Sequence, residues 1–319
     1  MTRVSTELRG WEGRSCLVTG GAGFIGRVLC TRLRALGAEV HATHRSSSSG
    51  GQDYLACDVS IPSDVDSVFA GVRPSCVFHL AWVVNGVRSL NLVRTTLVAN
   101  LVGTVNVLMS AATAGCANVV VLGSLQEPDE VHPPVPSSPY AAAKFGASAY
   151  ARMFARVFGL PIVIARTFMV YGPGQTDFAK LVPYVARQLI TGKVAELTSG
   201  RQGFDWIYVD DVVDALISIA SRPDLAGETV DIGTGKLTTV AEVASGVARR
   251  LSAMDRLHFG AVPDRKLEPT RTADVAATAA MINWRAKLSI GQGLDRAVPW
   301  YENYLSADTT ATVGMGITN

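Results

Sequence analysis

Cysteine, one-signed charge and long apolar runs are all scarce in this chain, and each scarcity removes a class of protein. The five cysteines, Cys16, Cys30, Cys57, Cys76 and Cys116, are isolated, odd in number and set in apolar stretches. Such thiols act as small core residues and not as a disulfide framework, which makes a cytoplasmic setting the expectation. Lys and Arg are scattered and the formal net charge is only +2. No basic patch is offered to nucleic acid or to an anionic membrane, so neither is an expected partner. No uninterrupted apolar run reaches the roughly 18 residues of a membrane span, and Met1 to Arg14 lacks the apolar core of a signal peptide. The Asp210-Asp211 pair has no His/Cys set beside it. No metal is expected, and the pair reads as an acidic helix start favoured by the dipole.

What is present is a globular chain, 48% apolar over 319 residues, with a regular alternation in its first half. Strands are predicted at Cys16–Thr19, Glu39–Thr43, Tyr54–Asp58, Cys76–Leu80, Val119–Gly123 and Pro161–Arg166. Helices are predicted between them at Phe24–Leu36, Ser63–Phe69, Ser89–Ala114 and Pro139–Phe158. Strands without polar alternation, separated by helices, imply an α/β fold with a doubly wound parallel sheet covered on both faces. Its ligand site is expected at the carboxyl ends of the strands. After Val170-Tyr171-Gly172-Pro173-Gly174 the rhythm loosens. Helices over Phe178–Ile190, Asp210 to Ala220, Val240–Leu251, Val275–Ile282 and Leu294–Tyr304, with a strand at Thr229–Ile232, point to a smaller second lobe. The expected division is a dinucleotide-binding domain over 1–170, to which segments of the later chain return, a mainly substrate-binding lobe over 171–305, and a flexible tail over 306–319.

Two motifs carry chemistry. Thr19-Gly20-Gly21-Ala22-Gly23-Phe24-Ile25-Gly26 joins the first strand to the first helix with the G-x-G-x-x-G spacing. Glycine suits a tight turn, close backbone approach to a pyrophosphate, and close helix-strand packing, while the helix N-terminus offers free N–H groups to the anion. Further on, Tyr140 and Lys144 stand four apart on a predicted helix and share a face. Ser138 is a cap candidate and Pro139 suits the first helical position. A nearby ammonium favours phenolate, so Lys144 is expected to lower the Tyr140 pKa and make it a usable acid or base.

With these motifs the chain resembles the extended short-chain dehydrogenase/reductase family, specifically its nucleotide-sugar epimerase, dehydratase and ketoreductase branch. The resemblance extends through His79-Leu80-Ala81, Asn100-Leu101-Val102-Gly103-Thr104, Arg166, Val170-Tyr171-Gly172-Pro173-Gly174, the run Asp205 to Val213, and Asp231-Ile232-Gly233-Thr234-Gly235. It implies a Rossmann fold, hydride transfer between a nicotinamide and a sugar carbon, and a catalytic set of Ser124, Tyr140 and Lys144. Gly20, Gly23, Phe24, Ile25, Gly26, His44, Arg45, Asp58, Val59, Leu80, Ala81, Asn100, Tyr140 and Lys144 are then the expected cofactor-binding residues. Ser124, Met169, Arg201 and Arg271 are the expected substrate contacts. The resemblance also implies a homodimer, paired through the long helix near Ser89–Ala114 and the Tyr140 helix. His79, inside an apolar strand end, reads as a structural hydrogen-bonding residue.

Departures from the family pattern shape the functional expectation. An acid that would hold the ribose hydroxyls of NAD is absent between Thr43 and Gln52, where His44, Arg45 and Ser46 to Ser49 stand. Arg45 and the serines suit a 2′-phosphate, so NADP is favoured, with NAD as the alternative. The family's dehydratases place Asp-Glu directly after the Ser/Thr; here Leu125-Gln126 stand there, followed by Glu127. Met169 replaces a usual Asn and Phe204 a usual Arg. The expected function is therefore an NADPH-dependent 4-ketoreductase of a nucleoside-diphosphate 4-keto-6-deoxysugar. Alternatives are a nucleotide-sugar 4-epimerase, a reductase of a non-sugar ketone, or a non-catalytic dinucleotide-binding protein.

Overall fold

The computed structural model describes residues 8–45, 54–128, 135–264 and 270–314. The described chain forms two compact units, the first within Met1–Thr167, Val212–Ile232 and Asp274–Arg285, the second within Phe168–Asp211, Gly233–Ala273 and Ala286–Asn319. In the first unit the apolar runs become β1 (Ser15–Thr19), β2 (Glu39–His44), β3 (Tyr54–Ala56), β4 (Cys76–His79), β5 (Asn118–Ser124) and β6 (Ile162–Thr167). With β10 (Thr229–Ile232) they form a seven-stranded sheet in the order β10-β6-β5-β4-β1-β2-β3. Every pairing in it is parallel. Parallel strands need crossovers, supplied by α1 (Phe24–Ala35), α2 (Pro62–Val72), α3 (Asn91–Thr113) and α4 (Pro139–Phe158). Leu17, Val77, Val119, Val121, Ile162 and Ile164 from the strands close one core with Val107, Leu108 and Phe154 from α3 and α4.

The α4 boundaries follow local chemistry. Ser138 Oγ accepts from the Ala141 N–H at 3.1 Å, Pro139 opens the first turn, and Gly159 ends the helix at φ 67°. Elsewhere side chains move the predicted ends. Strand β3 stops before Asp58 because Asp58 Oδ1 accepts from Ser60 N–H at 2.9 Å and Ser60 Oγ at 2.7 Å, which curls the chain into a turn. Helix α3 is interrupted by a π-helical stretch at Leu97–Val102, where Asn100 faces inward. By length and composition α3 could cross a membrane. Its polar inner face is instead used within the fold, Asn106 donating to Val59 O at 2.9 Å and Ser110 to Asp66 at 2.7 Å.

The second unit holds β7 (Met169–Tyr171), β9 (Gly203–Tyr208) and β11 (Leu237–Thr239) in one sheet, and β8 (Ala195–Leu197) with β12 (Leu257–Phe259) in another. The sequence reading placed none of these five strands, four of which are only three residues long. Its helices are α5 (Leu181–Ile190), α7 (Val240–Arg250) and α9 (Ile290–Gly314), while α6 (Val209–Ala220) spans the unit boundary and α8 (Val275–Ile282) belongs to the first unit. Helix α5 begins later than predicted because Asp177 Oδ1 accepts from Ala179 N–H at 3.0 Å and holds a turn ahead of it. Helix α9 continues past residue 306, where the tail was expected to start, as far as Gly314. Ser289 and Gln292 cap its start reciprocally at 3.0 and 3.3 Å, and an existing helix gains a hydrogen bond for each residue added.

His79 ties the first unit together where β4 ends. It is fully buried, with Nδ1 2.7 Å from Thr19 Oγ1 on β1 and Nε2 3.0 Å from Thr104 Oγ1 on α3. Thr104 gives its own proton to Asn100 O at 2.6 Å, so the ring donates from Nε2 and accepts at Nδ1 as a neutral imidazole. Desolvation, and then the nearby Lys144 charge, push its pKa down to about 3. The unfolded chain therefore takes up this proton first as pH falls from 6.5 toward 3, so the contribution to stability is complete above the upper value and is lost across that window. Urea unfolding at about pH 7.5 and about pH 5 is expected to show a His79-dependent loss of about 2 kcal/mol, which His79→Gln removes. Equal pH slopes for the two proteins would refute this account.

Candidate active site

The glycine loop fits a dinucleotide through what a side chain would strike. Gly20 has φ +70°, and a Cβ on it would lie 2.8 Å from the backbone of Leu80 and Ala81. A Cβ on Gly26 would lie 2.3 Å from Gly20 O, and one on Gly21 would lie 2.5 Å from Ala42 Cβ. These glycines let β1, β2, β4 and α1 close on one another. Gly23 differs: it is exposed and forms the N-cap of α1 in extended conformation without a side-chain cap. The first turn of α1, with Phe24, Ile25 and Gly26, thus presents backbone N–H groups that suit a pyrophosphate.

Ser124 ends β5, and Tyr140 and Lys144 stand one turn apart near the start of α4. All three are buried. The Tyr140 hydroxyl is hydrogen-bonded with the Ser124 side chain, while Gln126 N–H donates to Ser124 Oγ at 3.2 Å. Lys144 Nζ donates to Leu122 O and lies over the Trp82 ring, 3.0 Å from its centroid. It stands 5.9 Å from the Tyr140 ring centroid. The expectation that Lys144 depresses the Tyr140 pKa is corrected here. Burial raises the phenol well above its ordinary value; the bond with Ser124 opposes this and the Glu127 charge adds to it. Burial also lowers Lys144 well below the ordinary lysine range, against the pull of Glu127. Desolvation dominates because neither charged form keeps its water. The phenol is accordingly a proton donor at neutral pH.

Asn100 holds the segment after β4 by a two-pronged amide contact, Oδ1 accepting from Val83 N–H at 2.8 Å and Nδ2 donating to Val83 O at 3.1 Å. That fixes the backbone leading from Leu80 and Ala81, against which Gly20 packs. At the ends of β2 and β3, the exposed Arg45 Nε lies 3.9 Å from Asp58 Oδ2, and His44 precedes it. Partial burial pushes the Asp58 carboxyl up, but the Ser60 hydroxyl, the Ser60 N–H and Arg45 together hold it below its ordinary value. Val59 is a core residue: its side chain packs against Gly103. Ser46 to Ser49 lie outside the described residues.

The expected substrate contacts other than Ser124 belong to the second unit. Met169 pairs with Trp206 in the β7-β9 register and is half-buried; Arg201 is exposed after β8, and Arg271 is half-buried ahead of α8. Phe204 packs edge-on to Trp206 with centroids 6.1 Å apart. The motif residue Asp205 is an internal anchor. Its carboxylate accepts from Thr234 N–H and Oγ1, Gly235 N–H and Ala273 N–H at 2.6 to 3.0 Å. Asp211, read as a dipole-favoured helix start, is buried and accepts from Leu288 N–H at 3.0 Å. Among the described residues no cluster of His, Cys, Asp and Glu suits a metal.

Three residues beside the Tyr140 and Lys144 pair carried little or no signal in the sequence reading. Trp82 immediately follows His79-Leu80-Ala81, and its indole N–H donates to His79 O at 3.3 Å. Glu127 and Ser148 are buried and bonded to each other at 2.7 Å. The regular four-residue spacing of Tyr140, Lys144 and Ser148 on α4 was the available clue.

Known proteins resemble this chain over most of its length. The chain is 29% identical to UDP-glucose 4-epimerase of Mycolicibacterium smegmatis over 315 residues, covering 90% of this chain and 98% of that one. The structure of MoeE5 in complex with UDP-glucose and NAD superposes with a TM-score of 0.80 at 30% identity, covering 91% of this chain and 99% of that one. DesIV, a dTDP-glucose 4,6-dehydratase from Streptomyces venezuelae with NAD and TYD bound, gives 0.82 at 26%, covering 92% and 98%. The pattern of the NAD dependent epimerase/dehydratase family matches residues 16–233, and the chain belongs to that family of NAD(P)-dependent, Rossmann-fold enzymes.

Proposed function

We propose that the protein reduces the 4-keto group of a nucleoside-diphosphate 4-keto-6-deoxysugar, with NADPH as reductant. The observation that carries this reading is the buried set of Ser124 at the end of β5 with Tyr140 and Lys144 one turn apart on α4, next to an apolar Leu125 and an amide Gln126 in place of further acids. A neutral phenol in that place can give the proton that a ketone takes up on reduction. A reduced nicotinamide held on the glycine loop would provide the hydride that such a carbonyl carbon accepts. Tyr140 Oη gives its proton to the carbonyl oxygen as charge develops there, and Ser124 Oγ donates a hydrogen bond to the same oxygen. Lys144, whose ammonium is held by Leu122 O and the Trp82 face, adds positive potential beside the phenolate left behind. The two positions after Ser124 support reduction over elimination of water: Leu125 is apolar and buried and Gln126 is an amide.

Arg45 supports the phosphorylated cofactor, because its exposed guanidinium at the end of β2 suits the 2′-phosphate that distinguishes NADP. Epimerisation is the second reading, favoured by the likeness to UDP-glucose 4-epimerase. In that reading the cofactor is used transiently and no net reduction occurs. Met169, Arg201 and Arg271 are proposed to contact the nucleotide sugar.

Absorbance at 340 nm in the presence of a dTDP-4-keto-6-deoxyhexose distinguishes these readings. NADPH is expected to be consumed, and Tyr140→Phe is expected to lower the rate by roughly 10²- to 10⁴-fold. Absence of turnover with any 4-keto sugar nucleotide, together with interconversion of UDP-hexoses by enzyme carrying NAD, would replace reduction by epimerisation. In the same assay Arg45→Ala is expected to raise KM for NADPH about tenfold or more, leaving NADH little changed. Indifference of both cofactors to the change would remove the NADP assignment.

The apolar face of α3 supports a homodimer. Val93, Leu97, Val98 and Val102 are all exposed on it, and Tyr150 is exposed on α4. Light scattering after gel filtration should give twice the chain mass, with Leu97→Glu shifting it to the single-chain value. A monomeric wild type would exclude this face as a self-interface.

A further inference from the structure

Glu127 has no part in the reaction scheme above, yet it is bonded to both elements that carry the reacting side chains. It lies three residues beyond Ser124 and is only 4% exposed. Its Oε1 accepts from the Ser124 backbone N–H at 2.6 Å, and its Oε2 accepts from Ser148 Oγ at 2.7 Å. Ser148 is one turn beyond Lys144 and two beyond Tyr140 on the same face of α4. The carboxylate therefore spans from the end of β5 to the helix bearing the acid and the ammonium. The fit is close, because a Cβ on Gly123 would lie 3.0 Å from Oε1.

We propose that Glu127 is a positioning residue for the Tyr140 and Lys144 pair: its carboxylate clasps the end of β5 to α4 and supplies the buried counter-charge of the Lys144 ammonium. The inference rests on the reading that Tyr140 and Lys144 serve the chemistry, and it assigns Glu127 a supporting task in place of water elimination. Both oxygens already accept hydrogen bonds that hold the site's framework, so an excursion to protonate or deprotonate a substrate would release Ser124 and Ser148 together. The groups facing Lys144 are Tyr140 from its own helix, the neutral imidazole of His79 from the end of β4, the Trp82 face that follows it, Leu122 O from β5, and Glu127. Only Glu127 in that set carries negative charge at neutral pH, and it opposes the desolvation that lowers Lys144. The same charge disfavours phenolate at Tyr140. Removing it should let both groups lose their protons at lower pH.

The test reads Lys144 directly and needs no substrate. In ¹³C-lysine-labelled protein, the Lys144 Cε signal is assigned with Lys144→Arg and titrated. Glu127→Gln keeps an acceptor for Ser124 N–H and a partner for Ser148 but removes the charge. It is expected to lower the Lys144 midpoint by roughly one pH unit or more. Glu127→Asp keeps the charge, drawn back by one methylene, and should fall between, which also supplies a folded variant should the amide form prove unstable. Ser148→Ala cuts the clasp and leaves both charges, and is expected to lower kcat severalfold with KM nearly unchanged. Coincident midpoints for Glu127→Gln, Glu127→Asp and wild type would overturn the inference. So would a Glu127→Asp shift as large as that of Glu127→Gln, which would assign the effect to packing. Failure of the ketoreductase reading is separable, because it leaves these midpoints unaffected.

Discussion

An ammonium removed from water must be compensated by what surrounds it, and the compensation of Lys144 organises the candidate site. Its surroundings are varied: a backbone carbonyl from β5, the face of Trp82 and a buried carboxylate. Each comes from a different part of the first unit, so the ammonium is satisfied only when β4, β5 and α4 are in register. A ring face is useful here because it attracts a cation without itself requiring a hydrogen-bond partner. The carboxylate is useful because its two oxygens reach separate elements at once. Framework and electrostatics are in this way the same contacts.

The end of β4 shows the same economy of parts. His79 links β1 to α3, Trp82 returns its indole N–H to the carbonyl of His79, and Asn100 fixes Val83 through both atoms of its amide. The π-helical stretch that carries Asn100 widens α3 where this contact is made, and such turns occur often where a side chain has a special task. Against this pinned backbone the glycine loop approaches too closely for a Cβ on Gly20. Rigidity thus passes from a neutral, buried imidazole to the loop that suits a pyrophosphate.

Legibility in the sequence followed the range of the forces involved. The glycine turn and α4 were readable because their determinants are local: a cap at Ser138, a proline at the first helical position, a left-handed stop at Gly159, and steric demands over a few residues. The parallel sheet was readable because unbroken apolar runs between helices have few other uses. Strands β7, β8, β11 and β12 are too short to show any period, and they exist through tertiary pairing. The protonation of Tyr140 was misjudged for a related reason. Spacing on a helix shows that Lys144 is near, but desolvation is set by residues distant in sequence, and it is what raises the phenol and lowers the ammonium. Glu127 was visible as an acid near Ser124; its engagement with Ser148 depends on β5 and α4 lying side by side.

That engagement bears on how one framework serves different sugar chemistries. Eliminating water from a sugar asks for an acid and a base beyond the tyrosine, each free to reach the substrate. Here Leu125 contributes a buried apolar side chain, Gln126 an amide, and the next residue a carboxylate committed to strand and helix. Its two oxygens already accept from an N–H and an O–H, so swinging it toward a sugar would forfeit those bonds. Charge is placed behind the lysine and not before the substrate. In the proposed reduction the proton is therefore left to the phenol, whose pKa burial raises.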